Sequence, residues 1–158
     1  MINVQFSKQQ WVKAASFYLR TLVFVQEQKI SPKAEFDAFD TDDTFYLVIF
    51  HNNEPIATGR YQQDSPDVVR PDRLCVHPSW RQKGLGRRVI LELEHQGRYN
   101  HCTLSRIHGE KHAIPFYEKL GYTVVSDEFI EDGIICVKLE KNLSPLTRRV
   151  QPFAQQTK

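Results

Sequence analysis

The apolar positions in the first third of the chain predict a short strand followed by a long helix. Residues 2–6 have the composition of a strand, and from Trp11 onward apolar residues recur at helical spacing. We expect this helix to reach about Gln28 and to end by Ser31, since proline disfavours helix at the residue before it. The predicted apolar stripe consists of Trp11, Ala14, Ala15, Tyr18, Leu22 and Val25.

A β-hairpin is predicted in the middle of the chain. Residues 45–50 are apolar throughout, which is typical of a central strand that is buried on both faces. Residues 51–54 predict a turn, because asparagine tolerates positive φ, and residues 55–62 predict the returning strand. After a polar loop, residues 69–77 predict a further strand.

The second half alternates between helix and strand. The predicted elements are a helix from Gly86 to about Tyr99, a strand over 102–107, a short helix over about 110–120, and strands over 122–130 and 134–140. Residues 1–141 are therefore expected to form one domain. Residues 142–158 have little apolar pattern and predict a mobile tail, with Leu146, Val150 or Phe153 as anchors.

Length, composition and charge narrow the class of protein. The 158 residues, 41% hydrophobic and 25% charged, suit one ordinary globular domain. A net charge of +2 is too small to indicate nucleic-acid binding, which needs a strong basic stripe. We find no signal peptide and no apolar run near the ~20 residues of a membrane span. A cytoplasmic location without membrane attachment is therefore the default expectation.

Neither a metal site nor a disulfide framework is expected. The three cysteines, Cys75, Cys102 and Cys136, have no zinc or CxxC spacing and predict small buried thiols. His108 and His112 are four residues apart, which could suit a metal, but no third ligand is apparent.

The distribution of charge singles out the loop at residues 81–88. It follows the apolar run at residues 74–78, precedes a helical pattern, and contains two glycines and four basic residues. Glycine allows close backbone approach, and the N–H groups at a helix start favour an anion. Basic residues are unfavourable at an empty helix N-terminus, so the loop predicts a polyanion site.

Known phosphate loops do not fit. A Walker A loop needs G-x-x-x-x-G-K-[ST], and a dinucleotide fingerprint needs a third glycine early in a βαβ unit. The loop instead has the pattern R-x-x-G-x-G between a strand and a helix. This pattern resembles the pyrophosphate loop of the GCN5-related N-acetyltransferases, the GNAT superfamily. Residues 113–122 similarly resemble that superfamily's A-x-x-F-Y-x-K-x-G-F/Y stretch.

Two further segments resemble the ElaA/YjcF-like branch of the superfamily. Residues 24–37 resemble its F-V-x-E-Q…P…E-x-D segment, and residues 131–134 resemble the start of its E-D-G-I-P-H turn. The chain departs from the branch where Ile135 and Cys136 replace Pro-His, and where residues 108–110 replace Asn-Ala-Gln. These departures concern the acceptor more than the cofactor.

The resemblance implies an α/β GNAT fold, with a mixed, mostly antiparallel central sheet of about six to seven strands and helices on both faces. It implies an enzyme that transfers an acetyl group from acetyl-CoA, without a metal, to a primary amine on a small molecule or peptide. Direct attack in a ternary complex is expected, since no cysteine has an evident nucleophile setting. A non-catalytic acyl-CoA-binding or sensing module is the alternative, a partner-binding tail is a third hypothesis, and a homodimer stays open.

The resemblance also implies roles for particular residues. Tyr117 would be the general acid, because a phenol with a pKa near ~10 keeps its proton at neutral pH, and the N–H of Val76 could stabilise the oxyanion. Glu27 would be the base, with Glu110 and His108 as rivals. The acidic stretch from Glu35 to Asp43 would attract a cationic amine. Coenzyme binding is predicted at Leu74, Cys75, Val76, Arg81, Gln82, Lys83, Gly84, Leu85, Gly86, Arg87 and Tyr117, and acceptor binding at Glu27, Gln28, Asp37, His108 and Glu110.

Overall fold

The structure is a computed structural model that describes residues 1–146. Most of the predicted tail, including Val150 and Phe153, lies outside the described residues. The helices are α1 (Gln10–Arg20), α2 (Pro32–Glu35), α3 (Leu85–Tyr99) and α4 (Ile114–Lys119), with a π-helix at Thr21–Glu27 and 3-10 turns at Pro78–Trp80 and Lys111–Ala113. The strands are β1 (Ile2–Ser7), β2 (Tyr46–His51), β3 (Glu54–Arg60), β4 (Gln63–Ser65), β5 (Val68–Val69), β6 (Asp72–Val76), β7 (Leu104–Glu110), β8 (Thr123–Val124), β9 (Phe129–Glu131) and β10 (Ile134–Asn142).

The predicted mixed, mostly antiparallel α/β fold is confirmed. Its strands form two sheets, one of four strands in the order β1-β2-β3-β6 and one of six in the order β4-β5-β7-β10-β8, with β9 beside β10. Every pairing is antiparallel except that of β5 with β7. The division falls between β6 and β7, which do not pair with each other. An opening is left between them, and the site described below lies there.

Strand β2 shows why helices cover both faces of the first sheet. Its residues alternate in direction, as strand geometry requires. Leu47 and Ile49 join the core cluster that contains Val89 and Leu93 of α3. Tyr46 and Val48 join the cluster that contains Val12 and Ala15 of α1. A strand buried on both faces was predicted from its apolar run, and this is confirmed.

The predicted apolar stripe of the first helix was wrong in phase. Trp11 and Tyr18 are half exposed, and α1 instead buries Val12, Ala15, Ser16, Leu19 and Arg20. Ser16 is buried because its hydroxyl lies 2.7 Å from that of Thr58 on β3, and Arg20 because acidic residues surround it. A periodicity argument counts both residues as polar and therefore turns the helix the wrong way.

The helix continues to Glu27, as predicted, but its last segment is a π-helix. The wider turn is closed by the bond from the Gln28 N–H to the Val23 carbonyl, at 2.9 Å. Single π-helical turns are rare and frequently lie at functional sites. Here the segment brings Phe24, Glu27 and Gln28 to the opening between the sheets.

Several boundaries differ from the predicted ones. The predicted 69–77 strand is broken at Arg70 and Pro71 into β5 and β6, and Arg73 within β6 is left-handed (φ 53°). Strand β7 runs three residues further than predicted, to Glu110, and β10 continues to Asn142, after which Leu143 is buried. In the described part of the chain, no helix is long and apolar enough to span a bilayer.

Candidate active site

A long cleft lies along the open side of β6. It has a volume of about 1480 Å³ including its mouth. Ten of the eleven predicted coenzyme-binding residues line it, and Lys83 is the one that does not. Its walls also include residues that the sequence analysis missed, because nothing local marks them: Val23, Phe24, Trp80, His112, Ala113 and Phe116.

The register of β6 determines which backbone groups face this cleft. Val76 pairs with Ala57, and the His77 N–H donates to the Ile56 carbonyl at 2.8 Å. This combination defines a non-hydrogen-bonded antiparallel pair, so the N–H and C=O of Val76 point away from β3 and into the opening. Cys75 alternates with Val76, so its backbone bonds to Thr58. The backbone groups of Val76, and not those of Cys75, are therefore the ones that face the cleft.

The glycine loop forms the anion-binding end of the cleft. Gly84 is the N-cap of α3 with φ 78°, a left-handed conformation that glycine adopts without strain, and Gln82 has φ 63°. Left-handed residues between ordinary ones turn successive N–H groups towards one concavity, as in anion nests. Gly86 lies closely under Phe116, whose ring would be 3.4 Å from an added Cβ. The N-terminus of α3 and its dipole thus point at the cleft.

Arg81 and Glu27 form an ion pair across the mouth of the cleft. The guanidinium donates to both Glu27 carboxylate oxygens, at 2.9 and 2.6 Å, and its Nε donates to the Val76 carbonyl at 3.2 Å. The hydrogen bonds from Arg81 lower the pKa of Glu27. Glu27 was predicted to be the base and Arg81 to bind the coenzyme. In the structure the two side chains are ion-pair partners.

A second space, the inner cavity, opens on the other side of Tyr117. Its volume is about 690 Å³ including its open mouth, and it lies between the π-helix, β6, β7 and the β9–β10 turn. The wall that it shares with the long cleft consists of Phe24, Gln28, Leu74, Glu110, Ala113 and Tyr117. The two spaces therefore adjoin along a shared wall that includes Tyr117.

Tyr117 is held in place by apolar and aromatic contacts. It is 8% exposed, and its ring makes edge contacts with Phe116 and Tyr122. Among residues 1–146, its hydroxyl has no hydrogen-bond partner. Burial, and then the negative charges of Glu110 and Asp72, raise the pKa of Tyr117 above its usual value. The phenol thus keeps its proton and has no protein acceptor for it.

The acidic stretch does not present free carboxylates to the cavity. Asp37 accepts bonds from Arg60 at 2.8 Å and from Arg73 at 3.0 Å. Glu35 and Asp40 are buried against Arg20, and Asp42 and Asp43 face Lys13 and Lys8. Asp37 lines neither space, so its predicted acceptor contact has no geometric support. The arginines that neutralise this stretch are distant in sequence, so the local charge pattern does not show that these carboxylates are paired.

His108 and Glu110 were predicted to lie at the start of the helix that carries Tyr117. The structure places both on β7 instead. Both line the inner cavity, and Glu110 also lines the long cleft. The Nδ1 atom of His108 is 3.2 Å from Glu131, and the bond lowers the pKa of that carboxyl. His108 and His112 do not share a helical turn, and the described residues contain no group of metal-ligating side chains.

The cavity also contains residues to which the sequence analysis gave no role. They include Arg73, Glu131, Asp132 and Ile134, together with the thiol of Cys136, whose pKa burial raises to about 11. In the sequence, the family resemblance at residues 131–134 was the one indication that the β9–β10 turn contributes to the site. Cys75 is fully buried, and burial raises its pKa well above the usual range. Neither thiol has the lowered pKa of a nucleophilic cysteine.

Comparison with known proteins places this site in a family. The model of the acetyltransferase (GNAT) domain matches residues 12–143. This chain belongs to the GNAT acetyltransferases. Members of this family transfer acyl groups from coenzyme A, so the protein is an acyltransferase, as the sequence predicted.

Individual relatives confirm the branch as well. YjcF of Bacillus subtilis, named as an N-acetyltransferase, is 29% identical over 128 residues, which are 80% of this GNAT chain and 90% of YjcF. A Lactobacillus plantarum protein named as an N-acetyltransferase has a crystal structure with TM-score 0.87 and 35% identity, over 90% of this chain and 99% of that one. Escherichia coli ElaA matches at TM-score 0.77 and 23% identity, over 89% and 99%.

Proposed function

We propose that this GNAT protein transfers an acetyl group from acetyl-CoA to a primary amine, by direct attack in a ternary complex. The observation that carries the proposal is that the long cleft and the inner cavity meet at the unpartnered hydroxyl of Tyr117. A donor in one space and an acceptor in the other would react there without a covalent enzyme intermediate.

The long cleft suits the parts of acetyl-CoA in order along its length. The nest at residues 82–87 and the N-terminus of α3 would hold the pyrophosphate, with Arg81 and Arg87 as cations. The apolar wall beside β6 would contact the pantetheine arm, and the outward N–H of Val76 would donate to the thioester oxygen. A preorganised donor of this kind stabilises the oxyanion more than the ground-state carbonyl.

The transfer needs one proton acceptor and one proton donor. The neutral amine attacks the thioester carbon, a C–N bond forms, the C–S bond breaks, and Tyr117 donates its proton to the departing sulfur. The amine loses a proton to a carboxylate. Glu110 is the better placed base, because it borders both spaces, whereas Glu27 borders only the long cleft and is bonded to Arg81.

The test is a turnover screen of acetyl-CoA against panels of amines, read as released thiol and confirmed by mass spectrometry of the acetylated product. We expect amine-dependent thiol release that saturates in both substrates. Incubation with acetyl-CoA alone should leave the mass of the protein unchanged. An acetylated chain formed before any amine is added would contradict direct attack.

Replacing Glu27 with glutamine separates its two proposed roles. Since the carboxylate holds Arg81 across the cleft mouth, Glu27→Gln should free the guanidinium and lower KM for acetyl-CoA by about two- to fivefold, with kcat little changed. Steady-state kinetics at varied acetyl-CoA would measure both. The matched control is Glu92→Gln, which removes a partly exposed carboxylate paired with Arg88 outside the cleft. A roughly hundredfold loss of kcat in Glu27→Gln alone would instead make Glu27 the base.

A further inference from the structure

The inner cavity has an excess of negative charge that the acidic stretch does not explain. Its lining includes five carboxylates, one guanidinium and one imidazole. The carboxylates are those of Glu35, Asp72, Glu110, Glu131 and Asp132. The guanidinium belongs to Arg73 and the imidazole to His108.

Two of these carboxylates are neutralised within the protein. Glu35 lies 2.8 Å from Arg20 and 3.1 Å from Arg73. Asp72 lies 2.9 Å from Arg60 and also faces Arg70. The only guanidinium of the cavity wall, that of Arg73, is thereby engaged. These groups hold the wall together and offer little net charge to a ligand.

Among residues 1–146, the other three carboxylates lack a close, permanently charged partner. Glu131 has the imidazole of His108 at 3.2 Å, and Glu110 has that of His112 at 3.6 Å. The nearest cation to Asp132 is Arg73, at 4.0 Å, and that guanidinium already binds Glu35 and Asp37. Glu110 lies beside Tyr117, whereas Glu131 and Asp132 lie on the β9–β10 turn. The negative charge therefore lies at two separate places in the cavity.

Two independent features indicate a ligand. Tyr117 borders the cavity with a residue that is more than nine-tenths buried, and its hydroxyl has no hydrogen-bond partner in the described residues. The lining also includes apolar side chains, among them Phe24, Ile107 and Ile134. An unpartnered hydroxyl and apolar side chains in one cavity suit an amine on an alkyl chain.

We propose that the inner cavity selects an acceptor with a second positive charge, that is, an aliphatic diamine. This inference rests on the proposed function. The amine to be acetylated lies at Tyr117 and Glu110, where it gives up its proton. The second amine stays protonated as an ammonium ion and binds at Glu131 and Asp132, while the alkyl chain packs on the apolar side chains.

The test compares kcat/KM for α,ω-diamines of increasing chain length with the matched alkyl monoamines and with α-amino acids. The best diamine should exceed its monoamine by about two- to fivefold, because one partly exposed ion pair contributes that much. The gain should lie in KM, since the second charge is remote from the reacting carbon.

The informative variant is Asp132→Asn. Asp132 has φ 52°, and asparagine tolerates this left-handed conformation, so the turn is kept while the charge is lost. We expect the diamine-to-monoamine ratio of kcat/KM to fall towards one. Glu128→Gln is the matched control, because Glu128 pairs with Lys111 outside the cavity and its loss should leave the ratio unchanged.

The outcomes separate this inference from the proposed function. Equal efficiency for diamines and monoamines, or a preference for α-amino acids, would overturn the diamine while acetyl transfer to amines stands. An unchanged ratio in Asp132→Asn would also overturn it. Absence of acetylation of every amine in the panel would overturn both.

Discussion

Replacing Tyr117 with phenylalanine should lower kcat by about a hundredfold or more, because the transfer loses the group that protonates the departing thiolate. KM for acetyl-CoA should stay nearly the same, since the ring and its contacts with Phe116 and Tyr122 remain. The folded state should also be unaffected, because this hydroxyl has no hydrogen-bond partner to lose within residues 1–146. Steady-state kinetics and thermal unfolding of the variant measure both effects.

Tyr122 provides the control for this substitution. Its hydroxyl lies 2.7 Å from Ser105 and donates to Glu94, also at 2.7 Å. Tyr122→Phe should therefore lower the free energy of unfolding by about 1–3 kcal/mol and leave kcat nearly intact. Tyr117→Phe should thus lower kcat without lowering stability, and Tyr122→Phe should lower stability without lowering kcat. Unchanged turnover in Tyr117→Phe would remove Tyr117 from the mechanism.

The pKa of Tyr117 also determines how kcat should depend on pH. Its pKa is raised, so the acid is in its protonated form throughout the neutral and mildly alkaline range. Loss of its proton can affect the rate only above the usual phenol value of ~10. An alkaline fall in kcat below that pH has another origin, and it should therefore persist in the residual activity of Tyr117→Phe.

Replacing Arg20 with methionine should destabilise the protein by about 3–5 kcal/mol, because two buried carboxylates lose their nearest cation and keep only the longer contacts of Arg73 and Arg60, each at 3.1 Å. The Arg20 side chain is fully buried, donates to Glu35 at 2.8 Å, and donates to both oxygens of Asp40 at 2.8 and 2.9 Å. Methionine preserves much of the volume, so the loss reports the charges more than a cavity. Chemical denaturation monitored by tryptophan fluorescence measures the free energy of unfolding.

Arg88→Met is the matched control. Arg88 lies on the surface of α3, half exposed and 3.6 Å from Glu92, and such pairs contribute about 0–1 kcal/mol. A similar loss for the two variants would contradict the assignment of Arg20 to a buried ionic centre. The expected difference follows from desolvation, which penalises an unpaired charge only where water cannot reach it.

The sequence alone was sufficient for features determined by short stretches of chain. The buried strand at residues 46–50, the glycine loop before α3, and the short helix that carries Tyr117 all depend on neighbouring residues. Periodicity, turn chemistry and motif spacing express those local constraints directly. Together with two motifs in the right order, they were enough to predict the fold class and the family.

The tertiary structure decided which charges are available. Arg81 reaches Glu27 across 54 residues, and Arg60 reaches Asp37 across 23, so a base and an acceptor contact assigned from local pattern became ion-pair partners. Long-range pairing also explains why Ser16 and Arg20 are buried, and why the buried face of α1 differs from the predicted apolar stripe. A charged or polar side chain takes its role from the partner it meets, and that partner is brought by the fold from elsewhere in the chain. An apolar run or a glycine turn, by contrast, takes its role from the residues beside it.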